Sequence, residues 1–221
     1  CKGEFEEISV AGNIITAGSG VRFKRISNVA KKNGIGGFEW MEGIPGNVGG
    51  GLRMNAGAMG CQTFDQVVSV RYVDADGGLH EKSGREFAAH YRNVPELMDN
   101  FAVSAVFRGC FSTTEEIEGR IGESMQKRRM SQPVAACAGC IFKNPDTVPA
   151  GKLIEELGLI GVGVGAARVS EIHGNFIVNE GEATAEDVIA LIEMIQSKAA
   201  GERGIELQTE VKIMGSREIG F

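Results

Sequence analysis

The amino-acid sequence predicts an α+β fold, in which strands and helices mix without the regular alternation of a parallel α/β protein. Two segments support the strands: residues 5–17 have the pattern of a hairpin, and apolar and polar residues alternate over 205–213. Two helices are indicated by capping boxes that open at Thr113 and Thr184, each followed by apolar residues at helical spacing.

The predicted elements follow from local pattern. Turn residues stop the first helix and join the strands, and basic residues close the helix that opens at Thr113, as the helix dipole favours. In chain order, the predicted elements are a hairpin over 5–17, a helix over 21–30, a strand over 67–73 with a partner strand over 79–83, and a strand over 101–107. They continue with a helix from Thr113 to Arg129, a helix over 150–157, a strand over 175–178, a helix from Thr184, and a last strand over 205–213.

The composition disfavours several classes of function. The 221 residues carry 23 basic and 29 acidic side chains, a net charge of −6, which disfavours nucleic-acid binding. No apolar run approaches the roughly 18 residues that a membrane helix needs. The five cysteines are odd in number and scattered, which is not typical of a disulfide framework, so we expect a cytoplasmic protein that is a monomer without a membrane segment.

The strongest local signal is the glycine-rich segment Gly43–Gly51, followed by Met54–Ala58. Successive glycines let backbone N–H groups approach a ligand closely and hold a diphosphate without basic side chains. The pattern is neither a Walker loop nor a dinucleotide-binding fingerprint. A set of tight turns without a ligand is an equally good interpretation of the residues alone.

Three further signals are weaker. Cys137 and Cys140 form a Cys-x-x-Cys pair, for which zinc binding, redox work and a single reactive thiol all stay open, although the three histidines stand apart and no metal site is expected. Tyr91 and Arg92 are either surface or packing residues or part of a functional site. Glu210 lies on the polar side of the last predicted strand, where a solvated face is the simpler interpretation.

Taken together, these segments resemble the UDP-N-acetylenolpyruvoylglucosamine reductase family. The matching segments occur in the order of the family and span nearly the whole chain. They are GIPGNVGGGLRMNAGAMG (43–60), YR (91–92), AGCIFKNP (138–145), GKLIEELGL (151–159), VSEIHGNFIVN (169–179), ATAEDVIALI (183–192) and GIELQTEVKIMG (204–215).

The resemblance implies an FAD-binding α+β domain of the PCMH, or vanillyl-alcohol-oxidase, type and a C-terminal substrate-binding α+β domain. We expect the first to comprise residues 1–131 plus 203–221, and the second residues 132–202. The family's N-terminal FAD subdomain has no counterpart before Cys1, so we expect an incomplete FAD-binding domain with weak FAD affinity.

The implied reaction uses NADPH to reduce FAD, which then reduces a UDP-sugar enolpyruvyl ether to UDP-N-acetylmuramate for peptidoglycan synthesis. By the resemblance, Arg92 binds the substrate carboxylate, Glu210 assists at the developing enolate, and Cys140 protonates C2. Cys140 stands where many members have serine. A thiol, with a reference pKa of about 8.5, is a reasonable acid for that step. The alternative is a catalytically silent nucleotide-binding module of the same fold.

The resemblance also assigns binding residues, mostly through the main chain. Those expected at the substrate are Tyr91, Arg129, Lys143 and Asn144. Those expected at the flavin are Ile44, Pro45, Gly46, Asn47, Val48, Gly49, Gly50, Asn55, Gly57 and Ala58. Ser131 occupies a position where the family often has a lysine, which puts one phosphate contact in doubt. The short stretch between Cys140 and Glu210 resembles the second type of the family.

Overall fold

A computed structural model describes residues 3–215. The chain forms two compact units, the first ending at Lys127 and the second beginning at Arg128. None of the helices in the described part is long and apolar enough to cross a lipid bilayer.

The first unit contains a five-stranded antiparallel sheet. Its elements are β1 (Ile8–Ala11), β2 (Ile14–Gly18), α1 (Phe23–Lys32), β3 (Ile35–Gly36), α2 (Val48–Arg53), β4 (Gly57–Ala58), β5 (Cys61–Gln62), β6 (Val67–Val73), β7 (Leu79–Ser83), β8 (Phe101–Arg108) and β9 (Cys110–Phe111). The order of the main sheet is β1-β2-β8-β6-β7, and β3–β9 and β4–β5 form two small ladders. The helix α3 (Thr114–Ser131) contains the boundary between the units.

The core of the first unit lies between this sheet and α1. Ile15, Val70 and Phe107 from the strands are fully buried, and so are Phe23 and Ile26 from the helix. In β2, the buried Ile15 and Ala17 flank the exposed Thr16, so one face of this strand joins the core. The buried residues of β6 and β8 are Val70 and Ala102, Ala105 and Phe107. The hairpin, the first helix and the strands over 67–73 and 101–107 are confirmed.

The second unit contains a four-stranded antiparallel sheet of order β10-β13-β12-β11. Its elements are β10 (Cys137–Cys140), α4 (Ala150–Glu156), β11 (Gly163–Val164), β12 (Ala167–Val169), β13 (Phe176–Asn179) and α5 (Ala185–Arg203). Apolar residues of α4, α5 and β13, among them Leu153, Leu191 and Ile177, form its core.

Both predicted capping boxes are present. Thr184 Oγ1 accepts from the Asp187 N–H at 3.1 Å while the Asp187 carboxylate accepts from Thr184 N–H at 3.0 Å. Thr113 and Glu116 exchange the same two hydrogen bonds ahead of α3. Such reciprocal bonds satisfy two amides that an α-helix leaves without internal partners.

The segment after α5 differs from its prediction. In the described part of 205–213, a single bridge joins Thr209 to Phe142, and no strand forms. The alternation is still reflected in burial, because Leu207 is 4% exposed while its two neighbours are exposed.

This segment packs within the second unit. The predicted boundaries, 1–131 plus 203–221 and 132–202, had grouped it with the first domain instead. Leu207 joins the core of the second unit, and Gln196 Nε2 donates to the Leu207 carbonyl at 2.8 Å. Alternation predicts that one face is buried, but it does not identify the core that buries it. Residues 216–221 lie outside the described part of the chain.

Candidate functional site

In the first unit, the predicted flavin segment is a main-chain surface. Pro45, Gly46, Asn47 and Gly50 are exposed, whereas Val48 is buried beneath them. The Val48 and Gly49 amides donate to the carbonyls of Val21 and Ser19, both at 2.9 Å, and the Gly46 carbonyl accepts from the Phe23 amide at 3.2 Å. These bonds hold the segment against the turn between β2 and α1.

The geometry of this surface fits a cofactor that approaches the backbone. A Cβ added at Gly46 or Gly50 would meet no atom within 4 Å, and Gly46 has a φ of +134°, which favours glycine. Beside it, the Ser19 hydroxyl is buried and has no hydrogen-bond partner, and a Cβ at Gly49 would lie 3.1 Å from the Ser19 Cβ. A buried donor of this kind suits a polar ligand such as a diphosphate. Sequence reasoning missed Ser19, although glycines flank it.

Asn55 is buried, and its side chain supports the glycine segment through hydrogen bonds within the protein. It is 1% exposed and has a φ of +41°. Its Nδ2 donates to Gln62 Oε1 at 3.0 Å and to the His90 carbonyl at 3.3 Å, and its Oδ1 accepts from the Phe64 amide at 3.1 Å. The side chain therefore joins the glycine segment to the turn that carries Arg92, and the nearby Gly57 and Ala58 form the short ladder β4–β5.

Arg92 lies at the tip of a tight turn. His90 and Asn93 form an antiparallel bridge, and each donates its amide to the other's carbonyl, at 2.8 and 3.3 Å. Arg92 has a φ of +56°, in the left-handed region that glycine or asparagine more often occupies at the third position of a turn. Its guanidinium lies 4.9 Å from the centre of the Tyr91 ring, and the ring itself is 51% exposed.

In the second unit, Cys140 ends the edge strand β10, and a buried amide holds the chain that follows it. Asn175, 2% exposed, accepts from the Phe142 amide at 2.9 Å and donates to the Phe142 carbonyl at 2.8 Å. The Ile141 amide donates to the Asn175 carbonyl at 2.9 Å. The Asn175 side chain thus replaces one rung of a β-ladder and fixes the segment next to the thiol.

Cys140 and Asn144 line a cavity of about 480 Å³ within this unit, together with Lys152, Glu155, Glu171 and His173. Two glycines let its walls approach, because a Cβ on Gly174 would lie within 2.4 Å of the Gly151 carbonyl oxygen. Burial lowers the pKa of His173, and its Nδ1 accepts from the Asn175 amide at 3.1 Å. The cavity therefore presents a neutral imidazole among charged side chains at neutral pH.

Glu210 belongs to the same unit as Cys140, whereas the sequence placed it with Arg92 in the other portion. Its amide donates to the Ile141 carbonyl at 2.7 Å, and the Lys143 amide donates to the Gln208 carbonyl at 2.8 Å. Asn144 has a structural contact as well, because its Oδ1 accepts from the Ala150 amide at the start of α4, at 3.0 Å.

The predicted phosphate ligand Arg129 is exposed, and the neighbouring Arg128 is half-buried. Burial lowers the pKa of Arg128, while the negative charge of the Cys140 thiolate opposes that shift. Its Nε donates to Gln132 Oε1 at 3.0 Å. The side chains of adjacent residues in a helix point about 100° apart. Arg128 and Arg129 therefore face different directions, and it is Arg128, not the predicted Arg129, that interacts with Cys140.

The structure thus groups the predicted residues within each unit. The glycine segment, Asn55 and the turn of Tyr91 and Arg92 are connected in the first, and Cys140, Lys143, Asn144 and Glu210 are neighbours along the chain or through hydrogen bonds in the second. Within residues 3–215, no cluster of three or more His, Cys, Asp or Glu side chains could hold a metal ion.

Comparison with known proteins gives two family matches. Residues 2–83 match the FAD binding domain, and residues 132–214 match the C-terminal domain of UDP-N-acetylenolpyruvoylglucosamine reductase. The second match includes the segment after α5, in agreement with its packing in the second unit.

Relatives and a solved structure match nearly the whole chain. The reductase of Bradyrhizobium sp. (strain ORS 278) is 39% identical over 212 residues, covering 96% of this chain and 69% of the relative. That of Syntrophomonas wolfei is 38% identical, covering 95% and 71%. The crystal structure of UDP-N-acetylenolpyruvylglucosamine reductase from Thermus caldophilus superposes with a TM-score of 0.82 at 35% identity, covering 95% of this chain and 75% of that one. The resemblance and the fold class predicted from sequence are confirmed, and the chain belongs to the UDP-N-acetylenolpyruvoylglucosamine reductase family of FAD-dependent oxidoreductases.

Proposed function

We propose that this protein uses NADPH and FAD to reduce the enolpyruvyl ether of UDP-N-acetylglucosamine to UDP-N-acetylmuramate, a step of peptidoglycan precursor synthesis. The observation that carries the proposal is the placement of Cys140. By the resemblance, this thiol stands at the family's proton-donor position, and it lines a cavity with several charged side chains in the unit that matches the reductase C-terminal domain.

The flavin, when bound, supplies the hydride chemistry. The residues that would hold it are the main chain of Ile44–Gly50 and Gly57–Ala58, with the buried hydroxyl of Ser19 as a donor. Glycine backbone and a buried hydroxyl suit a neutral ring and a diphosphate, because no cationic side chain has to be desolvated to bind them.

Three side chains act on the substrate in this proposal. The Arg92 guanidinium binds the carboxylate and stabilises the charge that develops on it, and the turn at His90–Asn93 fixes the direction of the side chain. The Cys140 thiol donates the proton that C2 needs once C3 has been reduced. The Glu210 carboxylate orients the enolate or the donor, and its backbone bond to Ile141 keeps it near the thiol strand.

Composition supports the setting of this reaction. A net charge of −6 suits a protein that does not bind nucleic acid, and an odd number of scattered cysteines suits a reducing compartment. We therefore infer that the protein works in the cytoplasm as a monomer on a small UDP-sugar.

The test is reconstitution of the purified protein with FAD, followed by NADPH oxidation with and without the enolpyruvyl substrate. We expect oxidation that depends on the substrate and yields UDP-N-acetylmuramate, identified by its mass. Flavin binding together with NADPH oxidation that ignores the substrate would contradict the proposal and favour a silent nucleotide-binding module.

A further inference from the structure

The two thiols of the Cys-x-x-Cys pair lie at the two ends of a β-bulge. Cys137 pairs with Val178 and Cys140 pairs with Phe176, so three residue steps on β10 span two steps on β13. Gly139, inside the bulge, has a φ of +85°, which glycine adopts at little cost. The extra residue changes which face of the sheet each thiol occupies.

Residues directly opposite in an antiparallel ladder project from the same face, and so do residues two apart on one strand. Val178 and Phe176 share a face, and therefore Cys137 and Cys140 share it too. Ile177, which points the other way, belongs to the apolar core. A regular strand would have put residues three apart on opposite faces, so the bulge is what brings the two thiols to one side.

The spacing and the surroundings allow the thiols to meet. Two steps of a strand measure about 6.6–6.8 Å, the upper end of the Cα separation that a disulfide spans. β10 is an edge strand, held by β13 alone within its sheet, so the bulge at Ala138-Gly139 can adjust. Cys137 is exposed and Cys140 half-buried, which gives a small oxidant access to both.

The charged groups around Cys140 include a guanidinium. The half-buried Arg128 interacts electrostatically with it, and a neighbouring guanidinium stabilises a thiolate, the form that oxidants attack. No acidic residue lies between positions 128 and 145 of the sequence, and the acidic side chains that share the cavity with Cys140 are Glu155 and Glu171.

We propose that Cys137 and Cys140 form a reversible disulfide when the protein meets a hydroperoxide, and that this bond removes the working thiol from use. The Cys140 thiolate attacks the peroxide, forming an S–O bond and breaking the O–O bond. The alkoxide or hydroxide that leaves takes up the proton released by the thiol and becomes an alcohol or water. The Cys137 thiolate then attacks the sulfenic sulfur, the S–S bond forms, and hydroxide leaves and takes a proton to become water. Two thiols lose two electrons, and the peroxide gains them.

The bond itself depends only on the two cysteines, and its effect on turnover rests on the proposed role of Cys140. Both cysteines lie on one tryptic peptide, residues 130–143, which contains neither Cys61 nor Cys110. After treatment with hydrogen peroxide and then a thiol alkylator, we expect this peptide to be lighter by two hydrogen atoms and to carry no alkyl group. Reduction with dithiothreitol before alkylation should restore both alkylation sites and all of the lost activity.

Cys137→Ser, which leaves Cys140 without its partner, tests the pair. At the same peroxide dose, its activity loss should persist after dithiothreitol because Cys140 proceeds to the sulfinic acid. Cys110→Ser, which removes an exposed thiol of the first unit, should behave as the unaltered protein does. Added oxygen instead of lost hydrogen on the wild-type peptide, or full recovery of Cys137→Ser, would overturn the proposal. A disulfide found by mass in a protein without reductase activity would refute only the proposed function.

Discussion

The two candidate regions are constructed in opposite ways. In the first unit, the glycine segment offers main chain, and the positions at Gly46 and Gly50 border open space. In the second unit, the proposed reacting group is the Cys140 side chain, and another side chain, the Asn175 amide, holds the chain next to it in place. A main-chain surface is disturbed by adding atoms, whereas a side-chain site is disturbed by removing them. Substitutions of opposite kinds should therefore separate the two regions.

The largest expected effect is at the thiol. Cys140→Ala should reduce kcat by about 10²–10⁴-fold, because a general acid contributes that much to a proton transfer. FAD affinity should not change, since Cys140 lies in the unit that lacks the glycine segment. Steady-state kinetics and flavin titration of the same sample measure both. Cys140→Ser, which introduces the residue that the resemblance places here in many members, is the control and should retain most of the activity. An unchanged kcat in Cys140→Ala would remove the thiol from the mechanism.

The next effect is on folding of the second unit. Asn175→Ala should lower the free energy of unfolding by about 2–4 kcal/mol, because it leaves the Phe142 amide and carbonyl without their side-chain partner in a buried place. Urea titration of the purified protein would measure the change. Asn179→Ala removes an exposed amide that accepts from Gly181 and Ala183, and it should cost less than about 1 kcal/mol. Similar losses for the two variants would show that burial of the Asn175 pair does not matter.

A smaller effect is expected on adding a methyl group to the glycine segment. Gly50→Ala should weaken FAD binding by about tenfold, or about 1.4 kcal/mol, without lowering the thermal midpoint, because the new Cβ meets no protein atom and alanine is favoured over glycine within α2. Gly119→Ala, on the exposed side of α3 with equally open space, is the matched control. It should raise stability by about 0.5–1 kcal/mol and leave FAD affinity unchanged. Unchanged flavin affinity in Gly50→Ala would exclude this position from the cofactor surface.

The smallest effect is a dependence of stability on pH. Burial lowers the pKa of His173 in the folded protein. Below about pH 6.5, this imidazole is therefore protonated in the unfolded chain while it is still neutral in the folded protein. The free energy of unfolding should therefore fall as the pH drops from about 6.5 towards the pKa of His173 in the folded protein. Above about pH 6.5, His173 should not affect it. Thermal midpoints measured across that range should flatten in His173→Asn. His90→Asn, which removes an exposed imidazole of the first unit, should keep the wild-type slope, and an equal flattening there would contradict the assignment to His173.

How far the sequence predicted this arrangement depended on how local each cause was. The hairpin over 5–17 and the capping box at Thr184 are set by neighbours a few residues away, and both were predicted. The role of Asn175 was missed, because its amide completes a ladder with Phe142, 33 positions earlier. The segment around Thr209 was predicted as a strand from its alternation, yet its bonds go to residues 141–143 and form a single bridge. Long-range pairing of this kind leaves no local pattern to read.

The φ of +56° at Arg92 has a consequence for any attempt to improve this protein. Left-handed backbone costs a residue with a side chain about 1–2 kcal/mol, a penalty that glycine avoids. A library screened only for heat resistance would thus be drawn towards glycine at position 92, and would discard the guanidinium that the proposed reaction uses. Selection on melting temperature and selection on turnover would favour different residues at the same turn.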